Sequence, residues 1–150
     1  MGKNKWGIKM KVKIKLIKGG KMPEFKTEGA VCLDCYARIA MPFVSIPANS
    51  RCLVNLGFAM ELPKGYEAVI RPRSSLSKDG VDVAIGTIDW DYRGEVKACL
   101  INNTIGARSI NNGERICQIA IREVPEIELE VVDELSVTER GENGFGSTGK

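Results

Sequence analysis

Between Lys9 and Lys18 the chain reads KMKVKIKLIK, with lysine alternating against Met10, Val12, Ile14 and Leu16. A period of two belongs to a strand with one covered face. Lysine on the other face keeps an exposed edge from pairing with a second copy. No later window restores a helical period over ten residues. RCLVNLGFAMEL (51–62) and YEAVIRP (66–72) are apolar strand-like runs parted by PKG, which carries proline and glycine as a turn does. GEVKACLIN (94–102) sets Val96, Ala98 and Leu100 against polar neighbours, and NNG (111–113) leads into ERICQIAIREV (114–124). Only SSLSKDG (74–80) suits a helical turn or two, with Ser74 or Ser75 as its cap. Many short strands at close spacing predict an all-β sandwich or barrel. At 150 residues and 43% hydrophobic content, one domain with a sizeable core is expected.

Charge is distributed unevenly. Residues 1–26 hold nine lysines against Glu24 alone, so with a net +3 for the chain the remaining residues sum to −5. A basic arm for nucleic acid would show such a bias, but the alternation assigns these lysines to a strand face, and no nucleic-acid partner is expected. Residues 1–9 are expected to be a flexible extension and 10–139 the folded body. No apolar run reaches the roughly 18 residues of a membrane span, and no signal peptide opens the chain. A cytoplasmic protein with no membrane partner is expected (host-cell cytoplasm or nucleus if the source is viral). Five cysteines without a secretory signal point to reduced thiols.

The absence of histidine removes His-based triads and His-containing zinc sites. Hydrolysis by this chain would need carboxylates, a thiol or a bound metal. Cys32 and Cys35 form the one C-x-x-C, and no second pair exists to complete a zinc site. A redox pair would need a helix start to lower a thiol pKa, and the surroundings are strand-like. Asp34, between the two sulfurs, is the residue of interest. The C-terminal RGENGFGSTGK (140–150) has four glycines in eleven residues, the composition of a mobile tail. Its GFGSTGK fits G-x-x-x-x-G-K, but no apolar strand leads into it and the Ser/Thr and helix of a Walker A motif are missing after it, so a P-loop is not expected. Glycine-rich backbone with Arg140, Ser147 and Thr148 still suits an anion, and Phe145 suits stacking on a ligand. RPRSSLSKDG (71–80) places two arginines beside paired serines, donors that fit phosphate oxygens. GTIDWDYRGE (86–95) reads as a turn carrying Asp89, Asp91 and Tyr92.

Taken in order, GAVCLDCYA (29–37), PRSSL (72–76), GTIDWDYRGE (86–95), ERICQ (114–118) and RGENGFGSTG (140–149) resemble the five motifs of the trimeric dUTPase family (deoxyuridine 5′-triphosphate nucleotidohydrolase). The resemblance runs from about Met10 to the end. The first motif departs from the family, which usually has glycine where Cys32 stands and leucine where Cys35 stands.

The resemblance implies a distorted jelly-roll or β-clip barrel, a homotrimer with active sites shared between chains, and Mg²⁺ as cofactor. It implies hydrolysis of dUTP to dUMP and pyrophosphate, which keeps uracil out of DNA and supplies dUMP for dTMP synthesis. Asp89 matches the catalytic aspartate that activates water for in-line attack on the α-phosphorus. Asp34 would hold waters on Mg²⁺ without ligating the metal directly. Arg73, Ser74, Ser75 and Gln118 would contact phosphates. Arg140, Gly146, Ser147 and Thr148 would wrap the far phosphates, with Phe145 over uracil and the glycine-rich arm closing over a site. Gly86, Thr87 and Ile88, in a hairpin spanning Val83–Ile88, would meet the base, with Lys97 nearby and Tyr92 packed on the deoxyribose. Arg115 fits a structural or interface ion pair better than a ligand, and Glu95 fits a turn or interface pair. Two alternatives stay open: a dCTP deaminase of the same fold, for which Glu95 is the available carboxylate, and a regulatory protein that binds partners according to its nucleotide state.

Overall fold

The computed structural model describes residues 10–144; residues 1–9 and 145–150 lie outside the described part. Among the described residues, eleven strands and one short helix follow in order: β1 (Lys13–Leu16), β2 (Leu33–Tyr36), β3 (Phe43–Ile46), β4 (Ser50–Asn55), β5 (Phe58–Glu61), β6 (Tyr66–Arg71), α1 (Ser74–Lys78), β7 (Val81–Val83), β8 (Gly86–Ile88), β9 (Lys97–Asn102), β10 (Arg108–Asn111) and β11 (Arg115–Glu123). All pairings between these strands are antiparallel. β2-β11-β6-β8 and β4-β9-β7 are the larger sheets, joined by the pairs β1-β5 and β3-β10. Together they form the expected all-β distorted jelly-roll barrel. No helix among the described residues is long and apolar enough to cross a membrane.

One apolar cluster fills the barrel, with Phe58, Leu56, Ile46, Leu100, Ile110, Ile116 and Ile119 fully enclosed. Side chains on a strand alternate between faces, and β9 shows it: Ala98, Leu100 and Asn102 are buried while Lys97 faces water. Asn102 is the buried polar residue of the described part. Its amide donates to the carbonyls of Ile46, Pro47 and Gly106, and its oxygen accepts from the Thr104 amide and hydroxyl. A buried amide is tolerable only when its hydrogen-bonding atoms are met in this way.

Four local expectations change. The run 51–62 is two strands rather than one, because the chain turns at Gly57 (φ +78°). The turn lies so close to Gly20 that a Cβ on Gly20 would overlap the Gly57 carbonyl. Residues 83–88 do not form a hairpin: β7 pairs with β9 and β8 with β6, so the chain crosses between sheets at Ala84–Ile85. A short helix forms within 74–80, but Ser74 is its first residue rather than its cap: the N-cap is Arg73, and no side chain caps it. The lysine-rich strand holds over Lys13–Leu16 only. Upstream, Met10 and Val12 line an apolar groove with Ile14, Leu33, Ile119 and Ile121.

Candidate active site

Of the residues singled out by sequence, those between Asp34 and Gln118 gather into two clusters. The first is built on β2, β11 and the segment entering α1. Asp34 lies opposite Gln118, which in turn lies opposite Arg71 of β6. A bulge in β11 between Arg115 and Cys117 leaves Ile116 and Cys117 buried in succession. Bulges re-aim the residues beside them, and here Arg115 turns to Asp34, with Nη1 2.9 Å from Oδ2. Arg73 approaches the other oxygen, Nε to Oδ1, at 3.5 Å, and its Nη1 donates to the Arg115 carbonyl at 2.9 Å. Gln118 Nε2 donates to the Pro72 carbonyl at 2.8 Å, fixing the chain just ahead of Arg73. Ser74 and Ser75 are exposed beside it. The result is one carboxylate, two guanidiniums, two hydroxyls and an amide on a shared patch. The patch carries net positive charge and suits an anion.

The second cluster surrounds a cleft of about 240 Å³ lined by Gly86, Thr87, Ile88, Asp89, Tyr92, Glu95 and Lys97, with Ile70 and Val96 behind. None of β2, β11 or α1 lines this cleft. β8 pairs with β6 along one edge and ends its sheet, so its other edge has no strand partner among the described residues. Asp89 is exposed at the end of β8, and its carbonyl accepts from the Tyr92 amide at 3.1 Å to close the turn.

Glu95 anchors that turn to the barrel. Its carboxylate takes Arg38 Nε at 2.8 Å, Arg38 Nη2 at 2.7 Å and the Gly57 amide at 3.0 Å. The Arg38 guanidinium, and after it the Gly57 amide, hold the Glu95 carboxyl below its ordinary pKa. Sequence alone assigned Glu95 to a turn or interface pair and did not single out Arg38. No local signal links two residues 57 apart, and only the fold brings them together.

Arg140 lies in an exposed turn, its Nε donating to the Asn143 carbonyl, with no hydrogen bond or ion pair to either cluster among the described residues. Phe145, Gly146, Ser147 and Thr148 lie outside the described residues.

The two sulfurs of the C-x-x-C lie in different surroundings. Cys35 points into the core opposite Cys117, while Cys32 is only partly covered. A hydrogen bond with Cys117, and then burial, push the Cys35 thiol far above its ordinary pKa. No group of three or more His, Cys, Asp or Glu able to hold a metal occurs among the described residues. Elemental analysis of the purified protein should find zinc near zero, and one tightly held equivalent would contradict this.

The dUTPase family model matches residues 18–149. The chain belongs to the dUTPase family. Curated relatives named deoxyuridine 5′-triphosphate nucleotidohydrolase include one from Treponema denticola, 45% identical over 93% of this chain and 99% of its own. Another, from Hydrogenobaculum sp., is 48% identical over 95% of this chain and 99% of its own. Among solved structures, the dUTPase of Staphylococcus bacteriophage 80alpha with dUpNHpp superposes with a TM-score of 0.85 at 26% identity, covering 93% of this chain and 99% of that one. Both clusters fall within the span matched by the dUTPase family model, and so does Cys32.

Proposed function

We propose that this member of the dUTPase family hydrolyses dUTP to dUMP and pyrophosphate in a homotrimer whose sites are shared between chains. The observation that carries this is the division of the site residues into two intact clusters, one suited to phosphate and one to a nucleoside. A site shared between subunits would complete each cluster with its counterpart on a neighbour. The arm from 125 to 139 supports an assembly: it forms no strand, and Ile127, Leu129, Val131, Leu135 and Val137 are each at least 73% exposed. An apolar row of that length in water favours burial against another chain.

Arg73, Ser74, Ser75 and Gln118 would hold the phosphates. Asp34 fits an indirect role toward Mg²⁺. It is a lone carboxylate already hydrogen-bonded by Arg115 and ion-paired with Arg73, and Mg²⁺ commonly keeps several waters when bound through one carboxylate and substrate phosphates. When bound, Mg²⁺ would supply neutralisation of the triphosphate charge. Asp89 would take a proton from water as its oxygen attacks the α-phosphorus in line. The bond to the bridging oxygen then breaks and pyrophosphate leaves. The outer edge of β8 at Gly86, Thr87 and Ile88 would meet the base with backbone groups, donating to a uracil carbonyl and accepting from N3–H. Cytosine reverses that pattern, and a site built on such bonds can reject the analogue by roughly 10⁴-fold. Tyr92 would pack on the deoxyribose beside Lys97. Arg140, Gly146, Ser147 and Thr148 would enclose the far phosphates, and Phe145 would cover the base.

A dCTP deaminase of this fold needs a free carboxylate beside the base. Glu95 is the one the sequence offers, and it is engaged by Arg38 and Gly57. Assaying dUTP and dCTP side by side tests the proposal. Pyrophosphate from dUTP is expected, and ammonia from dCTP would overturn it. Cys32→Ser and Cys35→Ser should each leave the dUTP rate close to that of the parent, since neither sulfur is given a role.

A further inference from the structure

We infer that Gly94 and the Glu95 carbonyl lock the Tyr92 ring in the position from which it excludes a 2′-hydroxyl, making them determinants of deoxyribose selectivity. The inference rests on the proposal that Tyr92 packs on the sugar. Gly94 has no positive φ, so its backbone does not require glycine. What glycine provides is empty space. A Cβ there would meet Tyr92 and nothing nearer: it would overlap the hydroxyl, lie 2.5 Å from Cζ and 3.0 Å from Cε2. One edge of the tyrosine ring therefore occupies the volume a side chain would fill. Tyr92 Oη closes the arrangement by donating to the Glu95 carbonyl at 3.2 Å.

The tyrosine needs such a restraint. Tyr92 is 45% exposed, so core packing does not hold it. An exposed aromatic side chain keeps its rotamer freedom unless something local removes it. A ring that swings outward leaves room for one more oxygen on the ribose. The platform that restrains it is rigid. Glu95 is clamped by Arg38 and by the Gly57 amide. Val96, the next residue, donates to the Phe58 carbonyl and accepts from the Leu56 amide, each at 2.9 Å. Barrel wall, Glu95, Gly94 and Tyr92 thus form one continuous support for the sugar-facing ring.

The test is the ratio of kcat/KM for UTP to that for dUTP. Gly94→Ala should raise it by about tenfold or more, because the added methyl overlaps the movable end of a side chain and is relieved by displacing the ring. Tyr92→Phe keeps the ring and loses the bond to Glu95, so a smaller rise of about threefold is expected. Equal losses on both nucleotides in these variants would mark a merely structural effect and overturn the inference. So would an unchanged ratio. Should Gly94→Ala fail to fold by thermal melting, the ratio for Tyr92→Phe decides alone. Tyr92→Ala separates the two levels. If it leaves the ratio unmoved, the sugar contact itself is wrong and the lock falls with it. If it raises the ratio while the other two variants do not, the lock alone is overturned.

Discussion

Asp89→Asn should lower kcat on dUTP by about a thousandfold, within the range general-base removal typically costs, while a non-hydrolysable dUTP analogue binds within a few-fold of its parental affinity. Asparagine has the size and shape of aspartate, and the turn at this position is closed by the Asp89 backbone carbonyl rather than by its carboxylate. The substitution therefore leaves the cleft in place and removes only the capacity to take a proton. It also removes a negative charge near a triphosphate, so weaker binding is not expected. Single-turnover kinetics with a parallel binding titration would measure both effects. Near-normal turnover would remove Asp89 from the chemistry.

Deleting residues 140–150 should lower kcat by a hundredfold or so, the scale on which loss of substrate positioning and water exclusion is felt. The deleted segment carries Arg140, Phe145, Ser147 and Thr148, which supply a cation, an aromatic face and two hydroxyls. The apolar arm of 125–139 remains, so the mass by light scattering should stay that of the parent oligomer. A truncated protein with full activity would show that the glycine-rich end takes no part in turnover.

What the sequence made legible was local, and what it hid was tertiary. Alternation identified β9, and composition identified the short helix after Arg73. The single run from 51 to 62 concealed a turn, because the positive φ of Gly57 is paired with a close approach by Gly20, 37 residues earlier. Residues 83–88 looked like a hairpin because a strand's own pattern does not say which sheet it joins. At the candidate site, the order of the motifs singled out Asp34, Arg73, Asp89 and Gln118 through their resemblance to a family. It did not reveal that Arg115 meets Asp34, a contact 81 residues apart that depends on a bulge in β11. Nor could it foresee Arg38 beneath Glu95.

The grouping of Arg73 and Arg115 around Asp34 has a thermodynamic consequence for the resting protein. Long arginine side chains lose considerable freedom when they grip a ligand. Here both already have partners in the folded chain: Asp34 for each, and the Arg115 carbonyl for Arg73. An incoming phosphate would meet donors that are ordered in advance and would exchange with Asp34 as their partner. Association at this patch should then show a small entropic penalty for side-chain ordering, and a calorimetric signature closer to partner exchange than to the capture of an anion by mobile cations.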